Sequence, residues 1–146
     1  MSDGDLPEIG DVMEDGSVFA GLSADEAERL YVMPEDADDT MKWNEANEYA
    51  DKQDFGGRND WRLPTAKELS AIFDAKSVES LHGTFHTASY DHLYASYWSS
   101  DKVVIDDDKE KTGALTMNFN NGAEGWNYTW SYGSVRLVRT EPVLKP

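Results

Sequence analysis

The spacing of apolar residues along this chain switches between extended and helical periods, and the switches divide it into elements. Residues 1–16 are rich in Asp, Glu and Gly, with Pro7, and read as a flexible lead-in. Ser17 to Leu22 (S-V-F-A-G-L) and Arg29 to Met33 (R-L-Y-V-M) are short apolar runs separated by the acidic turn S-A-D-E-A-E, which predicts an N-terminal hairpin. Pro34 ends the second run. Trp43, Ala46, Tyr49 and Ala50 then recur at helical spacing, while Lys42, Glu45, Glu48 and Asp51 take the opposite face. Asp39 or Thr40 is the expected N-cap, and Gly56-Gly57 supply the exit.

The sharpest local pattern is G-R-N-D-W-R-L-P-T-A-K-E-L-S-A-I-F at 57–73. Trp61 and Leu63 alternate with polar residues, as an extended segment does, and Pro64 keeps Leu63 out of the helical region. Thr65 and Glu68 form a T-x-x-E capping box, and Leu69, Ile72 and Phe73 make the apolar stripe of a second helix. Residues 75–96 show no period. Y-W-S-S at 97–100 is a short core strand carrying Trp98, an acidic loop follows, and Ala114–Phe119 is a further strand. In Ser134 to Arg139 (S-V-R-L-V-R), Val135 and Leu137 fall on one side and Arg136 on the other, which lets the chain pair back into a sheet. The elements define one α+β domain over 17–141 with a tail at 142–146.

Between Asn118 and Tyr132 four asparagines (Asn118, Asn120, Asn121, Asn127) are mixed with five aromatics (Phe119, Trp126, Tyr128, Trp130, Tyr132). Asparagine buried without partners costs free energy, so a core does not select this mixture. Linkers avoid bulky aromatics. A binding surface uses both, with Tyr and Trp as rigid contact area and Asn, Ser and Gly as adaptable hydrogen-bonding groups. A twisted hairpin with half-buried aromatics is the structural alternative, because aromatics are also good strand formers.

Composition narrows the function classes. With 29 acids against 13 bases the net charge is −16, which repels phosphate backbones and anionic membrane surfaces. No apolar run reaches bilayer length, and the first residues lack the basic and apolar blocks of a signal peptide. With no cysteine there are no disulfides, thiolate metal sites or cysteine nucleophiles. His82, His86 and His92, with Asp91 beside the last, have a spacing that could hold a metal but no helical pattern to align them. Asp106, Asp107, Asp108 and Glu110 offer at most an adventitious calcium site, since the D-x-D-x-D-G spacing is missing. No G-x-S-x-G elbow, phosphate loop or dinucleotide fingerprint occurs, so an enzyme reading has no residues to stand on.

Four blocks occur in order: W-R-L-P-T-x-x-E-L at 61–69, Y-W-S-S at 97–100, F-x-x-G at 119–122 and S-V-R-L-V-R at 134–139. Together they resemble a bacterial and phage family of C-type-lectin-fold domains, which includes the terminal domain of a collagen-like adhesin and is similar to the variable proteins of diversity-generating retroelements. The resemblance implies paired termini in one small antiparallel sheet, two flanking helices and a second small sheet carrying a binding face. It implies a non-enzymatic ligand-binding or display protein, with a protein or cell-surface ligand. Residues matching the diversified part of such proteins are Thr116, Asn118, Glu124, Trp126, Asn127, Tyr128, Trp130, Ser131 and Tyr132. The enclosing frame is Trp98, Ser99, Phe119, Gly122, Val135, Arg136, Leu137 and Arg139. The related formylglycine-generating enzymes depend on cysteine, which this chain lacks. Glu141-Pro142-Val143 departs from the calcium-dependent sugar-binding motifs of the wider fold. A fixed-specificity carbohydrate-binding module stands as the alternative, and a phage tail or cell surface reached without a signal peptide as the expected location.

Overall fold

The computed structural model describes residues 7–22, 27–37, 40–75, 81, 96–104, 112–119 and 121–142. In chain order the elements are β1 (Val18–Leu22), β2 (Glu28–Val32), α1 (Trp43–Asp51), α2 (Ala66–Ala75), β3 (Ser96–Val104), β4 (Thr112–Asn118), β5 (Glu124–Tyr128) and β6 (Val138–Pro142). A single 3-10 turn at Phe55–Gly57 lies between the helices. The strands form two three-stranded antiparallel sheets, ordered β1-β2-β6 and β3-β4-β5. The first sheet therefore joins strands from both ends of the chain across β2.

Two buried clusters hold these layers together. Val18, Leu30 and Val32 of the first sheet meet Leu69 and Ile72 of α2 and Tyr97, Met117 and Phe119 of the second sheet. The other cluster joins Ala46 and Ala50 of α1 to Trp61, Leu63, Trp98, Val135 and Leu137. Three indole N–H groups in and around that cluster donate to backbone carbonyls: Trp98 to Met41 at 2.7 Å, Trp43 to Ser99 at 2.8 Å and Trp61 to Phe55 at 3.0 Å. These bonds let large amphipathic rings be buried without an orphaned donor.

The W-R-L-P-T corner forms as its sequence predicts. The Thr65 N–H donates to Glu68 Oε1 at 2.9 Å, and the Glu68 N–H donates to Thr65 Oγ1 at 3.1 Å. Arg62 adds a bidentate fork to the same carboxylate at 2.7 and 2.9 Å. Burial pushes the Glu68 carboxyl up, but bonds from Arg62 and Thr65 outweigh it and hold the group below its ordinary value. Asp101 accepts the next free helix N–H, that of Ala66, at 2.8 Å. Upstream, Arg62 and Val138 exchange backbone hydrogen bonds of 2.9 Å, which seats the corner against β6.

Elsewhere the structure departs from the pattern. The N-cap of α1 is Lys42, not Asp39 or Thr40; Thr40 lies outside the helix and Asp39 outside the described residues. Glu45 reaches back to accept the Lys42 N–H at 3.0 Å, so one orphan donor is satisfied without a Ser, Thr or Asp at the cap. Residues 7–16, expected to be loose, fold back onto β1. Gly10 donates to Phe19 at 2.8 Å, Phe19 to Asp11 at 2.9 Å and Met13 to Ser17 at 2.8 Å.

The third departure lies at 134–137. Only from Val138 onward is the predicted terminal strand a ladder strand, and the residues before it form a seam between the two sheets. Ser134 O accepts from Trp98 of β3, while Val135 O and Leu137 O accept from Ala37 and Met33, which follow β2. Arg136 does point away from Val135 and Leu137, yet it is fully buried there. Its Nε donates to Asp36 Oδ1 at 2.6 Å and its Nη1 to the Met33 carbonyl at 3.0 Å, and the Tyr97 hydroxyl donates to the same Asp36 carboxylate.

Candidate ligand-binding face

The outer strand of the second sheet is built from the residues the sequence singled out. β4 and β5 are joined by a tight turn in which Gly122 (φ 75°) donates to Asn118 O at 2.6 Å. A Cβ at Gly122 would stand 2.7 Å from the Phe73 ring, so both its backbone conformation and its packing exclude a side chain. The register pairs Met117 with Glu124, Leu115 with Trp126 and Gly113 with Tyr128. Alternation along the strand puts Glu124, Trp126 and Tyr128 on one face and Gly125 and Asn127 on the other.

Past Tyr128 the chain turns, with Ser131 N donating to Tyr128 O at 2.9 Å. The aromatic row continues through that turn. Trp126 meets Tyr128 edge to face at 5.1 Å, and Tyr128 stacks on Trp130 at 4.9 Å with planes 7° apart. Tyr132 lies under the Lys42 ammonium, 5.8 Å from the ring centroid. Trp126, Trp130 and Tyr132 are 44%, 61% and 45% exposed. Large rings this open, with Trp126, Tyr128 and Trp130 in ring-to-ring contact, are not what a hydrophobic core produces.

The turn itself is fixed. Trp43 N at the start of α1 donates to Thr129 O at 3.1 Å, Thr129 N to Thr112 O at 3.1 Å, and Gly133 and Met41 exchange two bonds of 2.9 Å. A Cβ on Gly133 would stand 3.0 Å from the Trp98 indole, so the backbone crosses this buried ring at close range.

Of the nine expected residues, Glu124, Trp126, Trp130 and Tyr132 are exposed, and Asn118, Asn127, Tyr128 and Ser131 are half-buried. Thr116 is different. It sits mid-strand between Trp98 and Gly125 and is 6% exposed, so its side chain belongs to the layer beneath the face. Lys42 was not expected at the site. Its contact with Tyr132 spans sequence-distant elements, and no local pattern announces it.

A concavity of about 230 Å³ opens between the folded lead-in and β6, lined by Asp15, Ser17, Tyr31, Arg58, Arg139 and Glu141 among others. Its cations are engaged: Arg139 with Asp60 at 2.8 Å and Glu141 at 2.7 Å, Arg58 with Asp15 at 3.4 Å and Glu141 at 3.6 Å. The hydrogen bond from Arg139 holds the Asp60 carboxyl below its ordinary value. This network joins lead-in, loop and strand, and engages both arginines that line the concavity. Among the described residues no group of three His, Cys, Asp or Glu is placed to hold a metal. His82, His86, His92 and Asp91, and the acidic run from Asp106 to Glu110, lie outside the described residues.

A sheet uniting both chain ends, two flanking helices and a second small sheet make up a C-type-lectin-like fold. Residues 21–139 match the family model described as the Lcl C-terminal domain, and the chain belongs to that family. Among solved structures it is similar to botrocetin, with a TM-score of 0.50 at 11% identity over 83% of this chain and 97% of that one. At such identity the likeness is one of fold. Two further similarities are to a complex of botrocetin with a mutant von Willebrand factor A1 domain (TM-score 0.47, 9% identity, 92% and 98% covered) and to EMS16, described as an antagonist of the collagen receptor integrin α2β1 (0.45, 15%, 81% and 95%). No curated protein matches the chain in sequence.

Proposed function

We propose that this domain is a non-enzymatic recognition module whose exposed aromatic residues between Trp126 and Tyr132 bind a protein or cell-surface ligand. The observation that carries this reading is the exposure of Trp126, Trp130 and Tyr132 along one segment held by a hydrogen-bonded frame. The exposed rings and the half-buried Ser131 in the same turn combine anchors with an adaptable polar group, as paratopes and interface hot spots do. Affinity at one site gains from multivalent display, as on a phage tail or a surface assembly. The direct test is capture of surface proteins by the immobilised domain, compared with Trp130→Ala and with Trp126→Ala/Tyr132→Ala. Capture that all variants retain would overturn the reading.

Diversification by a retroelement is the finer form of the same proposal. It is supported by the division between buried frame residues, such as Trp98, Phe119 and Val135, and the exposed or half-buried residues from Glu124 to Tyr132 between them. Sequencing the flanking DNA for a near-copy of codons 114–139, differing mainly at adenines and lying beside a reverse-transcriptase gene, tests it. A sugar-binding module is the second reading, favoured by the 61% exposure of the Trp130 ring, since pyranose rings stack on open indoles. A glycan array probed with and without calcium separates it from protein recognition.

A further inference from the structure

We infer that the ligand of this face is a basic protein segment, one that lays Arg or Lys side chains on the aromatic row. The inference rests on the recognition role proposed above and names the chemistry of the partner. Three observations lead to it. Aromatic faces carry the negative end of the ring quadrupole and attract cations within about 6 Å of the centroid. The protein already shows this two residues past Trp130, where the Lys42 ammonium stands 5.8 Å from the Tyr132 ring centroid. An internal cation thus occupies the Tyr132 ring, while Trp126 and the face of Trp130 not stacked on Tyr128 are left open to solvent.

At the other end of the row, Glu124 is exposed on the same strand face as Trp126 and Tyr128. Strand residues two apart are separated by about 6–7 Å, so a carboxylate and two rings follow one another at a spacing that a run of alternating side chains can match. The third observation is charge. At −16 the molecule steers cationic partners toward it and repels acidic ones, whereas a neutral sugar gains nothing from that field. Arg suits the site better than Lys, because its planar guanidinium stacks on a ring and still pairs bidentately with a carboxylate.

The test uses the full chain and a fluorescently labelled decapeptide of alternating Arg and Gly, with Glu/Gly and Gln/Gly peptides as comparisons, read by anisotropy. The Arg/Gly peptide binds, more weakly as salt rises, and the other two do not. Trp130→Ala leaves the net charge unchanged and lowers affinity by about fivefold or more, which separates ring stacking from diffuse attraction to an acidic protein. Lys42→Met removes the internal cation, frees the Tyr132 ring and raises affinity for the basic peptide. Equal binding by wild type and Trp130→Ala, no binding of the Arg/Gly peptide, or weaker binding by Lys42→Met overturns the inference. If surface-protein capture is lost with Trp130→Ala while the Arg/Gly peptide fails to bind, the recognition role stands and the basic partner falls.

Discussion

Tryptophan is used in two opposite ways in this domain. Trp98 and Trp61 are buried, and with Trp43 they give their indole N–H groups to backbone carbonyls of other segments. Trp126 and Trp130 stand open, and their N–H groups have no partner among the described residues. The first set ties chain segments together, so each ring has one place it can be. The second set contacts mainly its aromatic neighbours and is free to meet something else. One residue type thus marks both what must stay constant and what is available to a ligand, and hydrogen-bond accounting separates the two.

Substitutions sharpen that contrast. The largest losses are expected in the frame. Trp98→Ala removes a fully buried ring and its tether, and costs about 3–5 kcal/mol in chemical denaturation. Arg136→Met leaves the buried Asp36 carboxylate without its ion-pair partner, with a loss of similar size, about 3–5 kcal/mol. Gly122→Ala forces a left-handed backbone and a clash with Phe73, and costs about 1–3 kcal/mol.

Acid has a smaller, graded effect. The Asp60 and Glu68 carboxyls titrate lower in the folded chain than in the unfolded one, through hydrogen bonds from Arg139, Arg62 and Thr65. Their contribution is complete above the unfolded value and disappears as pH falls through the folded one, so stability drops below about pH 4. Denaturation midpoints across that window check this, and Glu68→Gln flattens part of the slope. The smallest effect is at the other tryptophan. Trp130→Ala changes stability by less than about 0.5 kcal/mol while removing ligand capture. A loss as large as that of Trp98→Ala would place Trp130 in the frame and dissolve the contrast.

What the chain reveals in advance depends on how far apart the partners lie. The W-R-L-P-T corner is legible because Pro64, Thr65 and Glu68 act within a few residues of one another. The exposed face is legible because no core selects asparagines beside tryptophans. Arg136 is only half legible: alternation turns it away from Val135, but its burial depends on Asp36, which lies 100 residues earlier. Thr116 fails as a surface residue for a related reason, since the register that sets it opposite Trp98 is not encoded nearby. The folded lead-in is hidden because its order comes from backbone bonds, which composition does not report. The N-cap of α1 is missed because Glu45 satisfies the donor from within the helix.

The bonds from Trp43 to Thr129 and between Met41 and Gly133 have one more consequence. They hold the turn at both ends, so its residues gain no conformational freedom when their side chains change. Ordering a loop on association takes free energy from every contact it later makes, and a loop already ordered avoids that loss. New side chains in this turn alter what is presented and leave the cost of presenting it unchanged.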